Sequence, residues 1–371
     1  MADSASSRPL TRDSVLEAHG IIKPFIHRTP VVTNSTLSAL ASTSREPKDL
    51  ESTPWAGRDP AKPKIRLWFK CENLQRVGAF KIRGAFHAIE RLKREPDWVE
   101  GGGMQKGVAT HSSGNHAQAL ALAARTAGIP AHIVMPNTTS PLKKAATAGY
   151  GANVSFCGNT APEREAAAAK VVSETGARLV PPYDHPDILL GQGTVGLELQ
   201  EQVLEDLPSG LNAIMAPIGG GGLLSGVALS CEGTGIQVFG AEPSDQDADD
   251  CKRGFEAGKR IESVSTMTVA EGLRTPVGEI PWSIIYERRL VRDIFTVSDQ
   301  EIIKATQLLM ERAKLYVEPS AAVPLAVALY NEDFRKMVEA EGGEAGWDLG
   351  LVLTGGNVAT QDLGNLFSSL L

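Results

Sequence analysis

The sequence predicts an α/β protein, with parallel-rich sheets flanked by helices and gathered into two units around a cleft. Three observations predict it. Short β-branched runs alternate with Ala-rich helical stretches from about residue 106 to residue 184, the βαβα rhythm of a parallel sheet. The rhythm returns at "NAIMAPIGGGG", "LLSGVALSCEG", "IQVFGAEPSD" and "LGLVLTGGN". The chain has 371 residues, 42% hydrophobic and 22% charged, which suffices for two compact domains of an ordinary soluble protein.

The elements follow in order. The start, "MADSASSRPLTRDS", is polar, so no signal peptide is expected and the first dozen residues should be mobile. No apolar run is long enough to span a bilayer, and a cytoplasmic enzyme is the default. A helix "STLSALA" and a strand "KIRLWFKCE" flank residues 42–63, whose Pro, Ser and charge mark a surface insertion. Next come "KGVATHSSGN", the helix "HAQALALAARTAG", "AHIVMP", "PLKKAATAG", "ANVSFCG", the helix "APEREAAAAKVVSETG" and "ARLVPPY". A small mobile unit is placed at 106–184, and a large one at 1–105 and 185–371. The net charge of −7 argues against general binding to nucleic acid or anionic membranes. The four cysteines form no CxxC pair and read as reduced thiols, and the seven histidines contain no HExxH pattern.

Three stretches carry chemistry. In "VGAFKIRGAF" Lys81 stands among small and apolar residues; burial would lower its pKa and make the free amine a nucleophile. The alternative is a surface lysine with its stem on apolar neighbours. In "APIGGGGLLSG" four glycines lie between an apolar strand and an apolar helix, so successive N–H groups and the helix terminus can converge on a phosphate. A Walker A loop would need Gly-Lys-Ser/Thr where Leu223 and Leu224 stand. The GxGxxG spacing also fails, although Glu242 imitates a ribose-binding acid, and a plain flexible turn stays open. In "THSSGNHAQALALAA" the residues Ser112, Ser113, Gly114 and Asn115 open a helix, a place that suits a carboxylate or serves as an ordinary cap. An amine, a phosphate loop and a carboxylate loop together are what a pyridoxal phosphate enzyme needs for an amino-acid substrate.

In this order the motifs "GAFKIRGA", "SSGNHAQA", "GQGT", "GGGG", "AEPS", "VEPSAA" and "LTGGN" are highly specific. From about Val15 onward the chain resembles the fold-type II pyridoxal phosphate enzymes (the tryptophan synthase β-like fold). Within them it is most similar to the eukaryotic serine racemases and serine/threonine dehydratases, without the C-terminal regulatory domain of biosynthetic threonine dehydratases. The resemblance implies that Lys81 is the Schiff-base lysine and Phe80 flanks the cofactor ring. It implies that Asn115 meets the ring hydroxyl, that Gly219, Gly220, Gly221 and Gly222 hold the phosphate, and that Thr354 meets the ring nitrogen. A neutral hydroxyl there makes the cofactor a weaker electron sink than a carboxylate would, which favours β-elimination or reprotonation over transamination. Ser112, Ser113, Asn115 and His116 are expected to bind substrate. Ser113 also stands where racemase-like members carry a second acid/base.

The expected activity is an ammonia-lyase turning L-serine or L-threonine into a 2-oxo acid and ammonia, with serine racemisation through the same carbanion. Racemisation as the main activity and 3-hydroxyaspartate dehydration are the alternatives, and a β-replacement synthase is less favoured. "AEPSDQDADDC" resembles a divalent-cation site, with Glu242, Ala248 and Asp250 as ligands for Mg²⁺, Mn²⁺ or Ca²⁺. Two extra residues there could pass a ligand role to Asp245 or Asp247, or leave a solvated acidic turn. The alignment puts Val171 and Tyr183 where racemase-like relatives carry an arginine and an asparagine, which predicts neutral substrates unless Arg164 reaches inward. The expected partners are a small amino acid and a second copy of the chain in a homodimer, with neither nucleic acid nor membrane.

Overall fold

A computed structural model of the chain describes residues 8–370. The β-branched runs form β1 (Val31–Thr33), β2 (Ile65–Cys71), β3 (Val108–His111), β4 (Ala131–Pro136), β5 (Asn153–Cys157), β6 (Arg178–Leu179), β7 (Ala213–Pro217), β8 (Gln237–Pro243), β9 (Asp293–Val297) and β10 (Trp347–Leu353). They assemble into two sheets. One has the order β1-β2-β10-β7-β8-β9 and the other β5-β4-β3-β6. Every pairing is parallel except β1 with β2. All residues of β7 and β10 are buried, because helices cover both faces of the larger sheet.

The strand and helix readings of the sequence fall on real elements; β1 and β9 were not among them. "ARLVPPY" pairs only over Arg178–Leu179 before the chain turns toward the helix Pro186–Asp206. Residues 1–7, part of the stretch expected to be mobile, lie outside the described residues. From Arg8 the chain is anchored: Arg8 pairs with Glu95 and Asp187, and Thr11 caps the helix Arg12–Ile22. The 42–63 insertion is fastened by buried Leu50, Trp55 and Ala61, and Arg335 donates to the Thr43 and Ala61 carbonyls. Among the described residues, no helix is long and apolar enough to cross a membrane.

Beneath the helix Lys81–Leu92 lies a buried ion cluster. Arg83 donates two bonds to Glu72, at 2.7 and 2.8 Å, and two to Glu198, at 3.0 and 2.8 Å. Lys70 adds a 2.7 Å contact to Glu198 and donates to the Thr29 carbonyl at 2.9 Å. Two cations face two carboxylates, so the cluster is neutral and its carboxylates are multiply bonded. Removing one partner would strand a buried charge. Arg83→Met is therefore expected to destabilise the protein by about 3–5 kcal/mol, read as a lower urea midpoint with an unchanged slope.

Candidate active site

Each motif loop leaves the C-terminal end of a parallel strand: residues 112–114 after β3, 218–221 after β7 and 354–357 after β10. Ligands of open α/β sheets bind at that edge. Lys81 is brought there by a sharp turn, with Val77 at φ 55° and Gly78 at φ 67°, ahead of its helix. The Phe80 N–H donates to the Thr354 carbonyl at 3.1 Å, and Ala79 bridges to Gly355, so "GAFK" is tied to "LTGG". Lys81 Nζ donates to the Pro182 carbonyl at 2.7 Å and lies 5.2 Å from the Phe80 ring centroid. Burial lowers its pKa to about 8, with the Glu318 carboxylate opposing.

The glycine tract forms a cradle that side chains would fill. A Cβ on Gly220 would lie 2.3 Å from the Tyr183 ring, and one on Gly219 would lie 2.8 Å from Leu273 Cα. Gly221 adopts φ 82° and caps the helix Gly222–Cys231, whose N-terminus receives no side-chain bond. These backbone N–H groups and the helix dipole suit an anion. Thr354 is buried, and its hydroxyl has no hydrogen-bond partner among the described residues.

The small-sheet side supplies Asn115, which starts the helix Asn115–Ala127 without capping it. Its side chain turns across the cleft, and Nδ2 donates to Glu318 Oε1 at 2.9 Å. Asn357 Nδ2 donates to Asn115 Oδ1 at 2.8 Å. Burial lifts the Glu318 carboxyl to about 7, moderated by the bond from Asn115 and by Lys143. Ser112 and Ser113 are half-buried in the loop. His116 is buried, with Nε2 on the Val180 carbonyl at 3.1 Å and Nδ1 unpartnered; burial and the Lys81 charge hold it neutral, near 3. Its ring therefore faces the Val180 carbonyl.

Glu318 and Asn357 were not among the candidate residues, although they stand inside "VEPSAA" and "LTGGN"; Arg164 was weighed only as an alternative to Val171. A carboxylate directly before Pro319 reads as an ordinary helix cap, yet here the Glu318 side chain makes no cap bond. Val171, placed near the substrate by alignment, instead packs against Val134, Cys157 and Ala168 of the small unit. Arg164 lies two turns before Val171 on the helix Ala161–Thr175, and its charge acts on two neighbouring groups. It depresses the pKa of His111 at the end of β3, after burial, and opposes the rise at Tyr183. Its Nε is buried without a partner among the described residues.

The acidic turn is built differently from the rest. Glu242 is fully buried and accepts the Cys251 and Lys252 N–H groups at 3.2 and 2.9 Å; Asp250 accepts the Val277 N–H at 3.1 Å. Burial pushes both carboxyls up, Glu242 with a further push from Asp250. The additional residues form a left-handed turn, with Gln246 at φ 55° and Asp247 at φ 63°. Asp245 turns to the Asp299 N–H and Asp247 to Arg253, so neither joins the pair. Ala248 is buried beside them. Among the described residues, no group of three or more His, Cys, Asp or Glu is arranged as a metal cluster.

The family described as "Pyridoxal-phosphate dependent enzyme" matches residues 51–355. The chain belongs to the pyridoxal-phosphate dependent enzymes. It is 42% identical to serine racemase of Arabidopsis thaliana, covering 96% of this chain and 95% of the relative. It is 39% identical to beta-hydroxyaspartate dehydratase of Paracoccus denitrificans, covering 94% and 96%. The structure of maize serine racemase superposes with a TM-score of 0.80 at 37% identity, covering 97% of this chain and 98% of that one. The fold is thus that of the fold-type II pyridoxal phosphate enzymes.

The chain's own atoms fit that cofactor. The unpartnered Thr354 hydroxyl suits a ring nitrogen, the side-chain-free cradle suits a phosphate, and the Lys81 amine is partly deprotonated near neutrality. Gly220→Ala drives a methyl into Tyr183, so pyridoxal phosphate affinity is expected to fall at least about tenfold, a 1.4 kcal/mol change. Equilibrium dialysis of the apo-protein measures it.

Proposed function

We propose that this chain is a pyridoxal phosphate-dependent ammonia-lyase that converts β-hydroxy amino acids, L-serine and L-threonine among them, to a 2-oxo acid and ammonia. Racemisation of serine is its companion activity. The observation that carries the reading is Lys81, an enclosed amine of lowered pKa, whose neighbour Phe80 is bonded to Thr354, the residue with the unpartnered hydroxyl. Lys81, Phe80, Asn115, the glycine cradle and Thr354 would hold the cofactor, which when bound draws electron density from the substrate α-carbon.

Lys81 Nζ takes the α-proton as general base. The N–H groups and hydroxyls of Ser112–Asn115 hold the substrate carboxylate, with His116 behind them as a neutral, buried support. Loss of the β-hydroxyl as water, then hydrolysis, gives the oxo acid and ammonia. Ser113, on the opposite face, returns a proton there when racemisation occurs. Because Thr354 is neutral, it accepts or donates a hydrogen bond at the ring nitrogen without holding it protonated. The 106–184 unit, which carries Asn115 and the serines, is taken as the part that closes on the substrate. The protein is taken to act in the cytoplasm as a homodimer.

Lys81→Ala is expected to abolish turnover with serine while leaving the melting temperature within a few degrees. Full activity in that variant would overturn the assignment. Ser113→Ala should lose enantiomer interconversion far more than oxo-acid formation, scored on one serine sample by chiral chromatography and a keto-acid assay.

A second substrate reading is favoured by Arg164, whose Nε is buried without a partner among the described residues and whose charge acts on Tyr183 beside the glycine cradle, while Val171 packs against Val134, Cys157 and Ala168. A guanidinium there would pair with the second carboxylate of 3-hydroxyaspartate, and two named relatives act on that chemistry: the Paracoccus dehydratase and, at 38% identity, the L-threo-3-hydroxyaspartate ammonia-lyase of Saccharomyces cerevisiae. On this reading Arg164→Ala lowers kcat/KM for L-threo-3-hydroxyaspartate by roughly tenfold to a hundredfold, the worth of a charge-assisted bond, and that for L-threonine far less. Equal losses would return the preference to neutral substrates.

Glu242 and Asp250, with the Ala248 carbonyl, are proposed to hold a divalent cation, which would relieve two adjacent buried carboxylates. Chelation is then expected to lower both the melting temperature and the activity, and Mg²⁺ or Ca²⁺ to restore them. Indifference to chelator would leave the turn a purely structural one.

A further inference from the structure

We propose that Glu318 and Asn357 are positioning residues that lock the Asn115 side-chain amide in the orientation offering an N–H to the ring oxygen of pyridoxal phosphate. The inference rests on the functional reading above and adds to it two residues from the opposite side of the cleft. It follows from counting donors and acceptors. The Val77 carbonyl can only accept, and Asn357 Nδ2 donates to it at 2.7 Å, which fixes which end of Asn357 carries nitrogen. The second hydrogen of that same nitrogen goes to Asn115, at 2.8 Å, so the Asn115 atom facing Asn357 must be oxygen. Its nitrogen therefore faces Glu318, which accepts at 2.9 Å. One hydrogen on Asn115 Nδ2 remains, and only an acceptor can meet it.

Glu318 is shaped for this role. Its backbone N–H donates to the Gly355 carbonyl at 3.0 Å, which fixes the residue to the "LTGG" loop. A Cβ on Gly355 would come within 3.2 Å of Oε1, so the glycine leaves room for the carboxyl. The ionisable groups whose charges bear on Glu318 are Lys81, Lys143 and Glu271, on three separate elements. With its carboxyl near 7, Glu318 is an acceptor at pH 8. A carboxylate there repels the amide oxygen of a flipped Asn115, and Asn357 offers that flipped amide only a second donor against its NH₂. The two neighbours thus penalise the wrong orientation from both sides.

The test is a chemical double-mutant cycle on the apo-protein at pH 8, using two ligands that cannot form an imine. One is 4-deoxypyridoxine 5′-phosphate, which keeps the ring oxygen; the other is its analogue lacking that oxygen. Calorimetry should show Glu318→Ala weakening the first ligand about tenfold and the second by less than twofold. Glu318→Gln, which keeps an acceptor oxygen, should stay within about threefold of wild type. Asn357→Ala should repeat the ring-oxygen-dependent loss, so the inference stays testable if Glu318→Ala does not fold. Equal losses for both ligands, or no loss for either, would overturn it. If the wild-type protein bound neither ligand, the cofactor reading itself would fail instead.

Discussion

The fold of this protein depends on one buried guanidinium. Arg83 sits two residues after Lys81 on the same helix and is bonded on both sides by carboxylates, Glu72 from the end of β2 and Glu198 from the long helix Pro186–Asp206. Any shift of Arg83 would strand charge in the interior, which opposes displacement of the helix carrying the amine. The approach of the two helices is itself a glycine matter. A Cβ on Gly191 would come within 2.7 Å of Gly84 Cα, and one on Gly84 would lie 2.5 Å from the Gln192 side chain. The glycines of "GQGT" therefore serve packing: Gly191 lets the helix carrying Arg83 approach, and Gly193 lets Gly226 of the helix Gly222–Cys231 approach.

From that anchored helix the site follows as a chain of contacts. Lys81 reaches the Pro182 carbonyl, and the next residue, Tyr183, lies against the glycine cradle. Phe80 is fixed to the Thr354 carbonyl, while Glu318 is fixed to Gly355 and bonded to Asn115. Burial pulls Lys81 and Glu318 in opposite directions, Lys81 down to about 8 and Glu318 up to about 7. Desolvation disfavours the charged form of each, and their mutual attraction offsets only part of that cost. A proton-transfer site working near neutrality needs groups poised in this way.

The same physics separates the active cleft from the acidic turn. Glu318 has Asn115 as donor and Lys81 and Lys143 as nearby cations. Glu242 and Asp250 receive backbone N–H groups, but the largest charge acting on Glu242 is a like one, the Asp250 carboxylate. Both places bury acids. Only the turn concentrates negative charge without a side-chain cation bonded to either carboxylate among the described residues.

The sequence by itself determined whatever depends on local periodicity and on residue types at short spacing. The βαβα alternation dictated parallel sheets, because strands of that kind must be covered on both faces. Four consecutive glycines between a strand and a helix allowed a cradle or a flexible turn, and a lysine among small residues allowed an enclosed or a surface amine; the order of the motifs together decided between them. Tertiary structure alone decided whatever depends on residues far apart in the chain meeting at hydrogen-bond distance. Asn115 lies 203 positions from Glu318 and 242 from Asn357, and no spacing rule connects them. Arg164 and Val171 share a face of the helix Ala161–Thr175 two turns apart, and only tertiary structure decided that Val171 packs against Val134, Cys157 and Ala168. In the acidic turn Asp245 meets the Asp299 N–H and Asp247 meets Arg253, with Gln246 and Asp247 in left-handed backbone, since backbone conformation, rather than the number of acids, decides which carboxylates face one another.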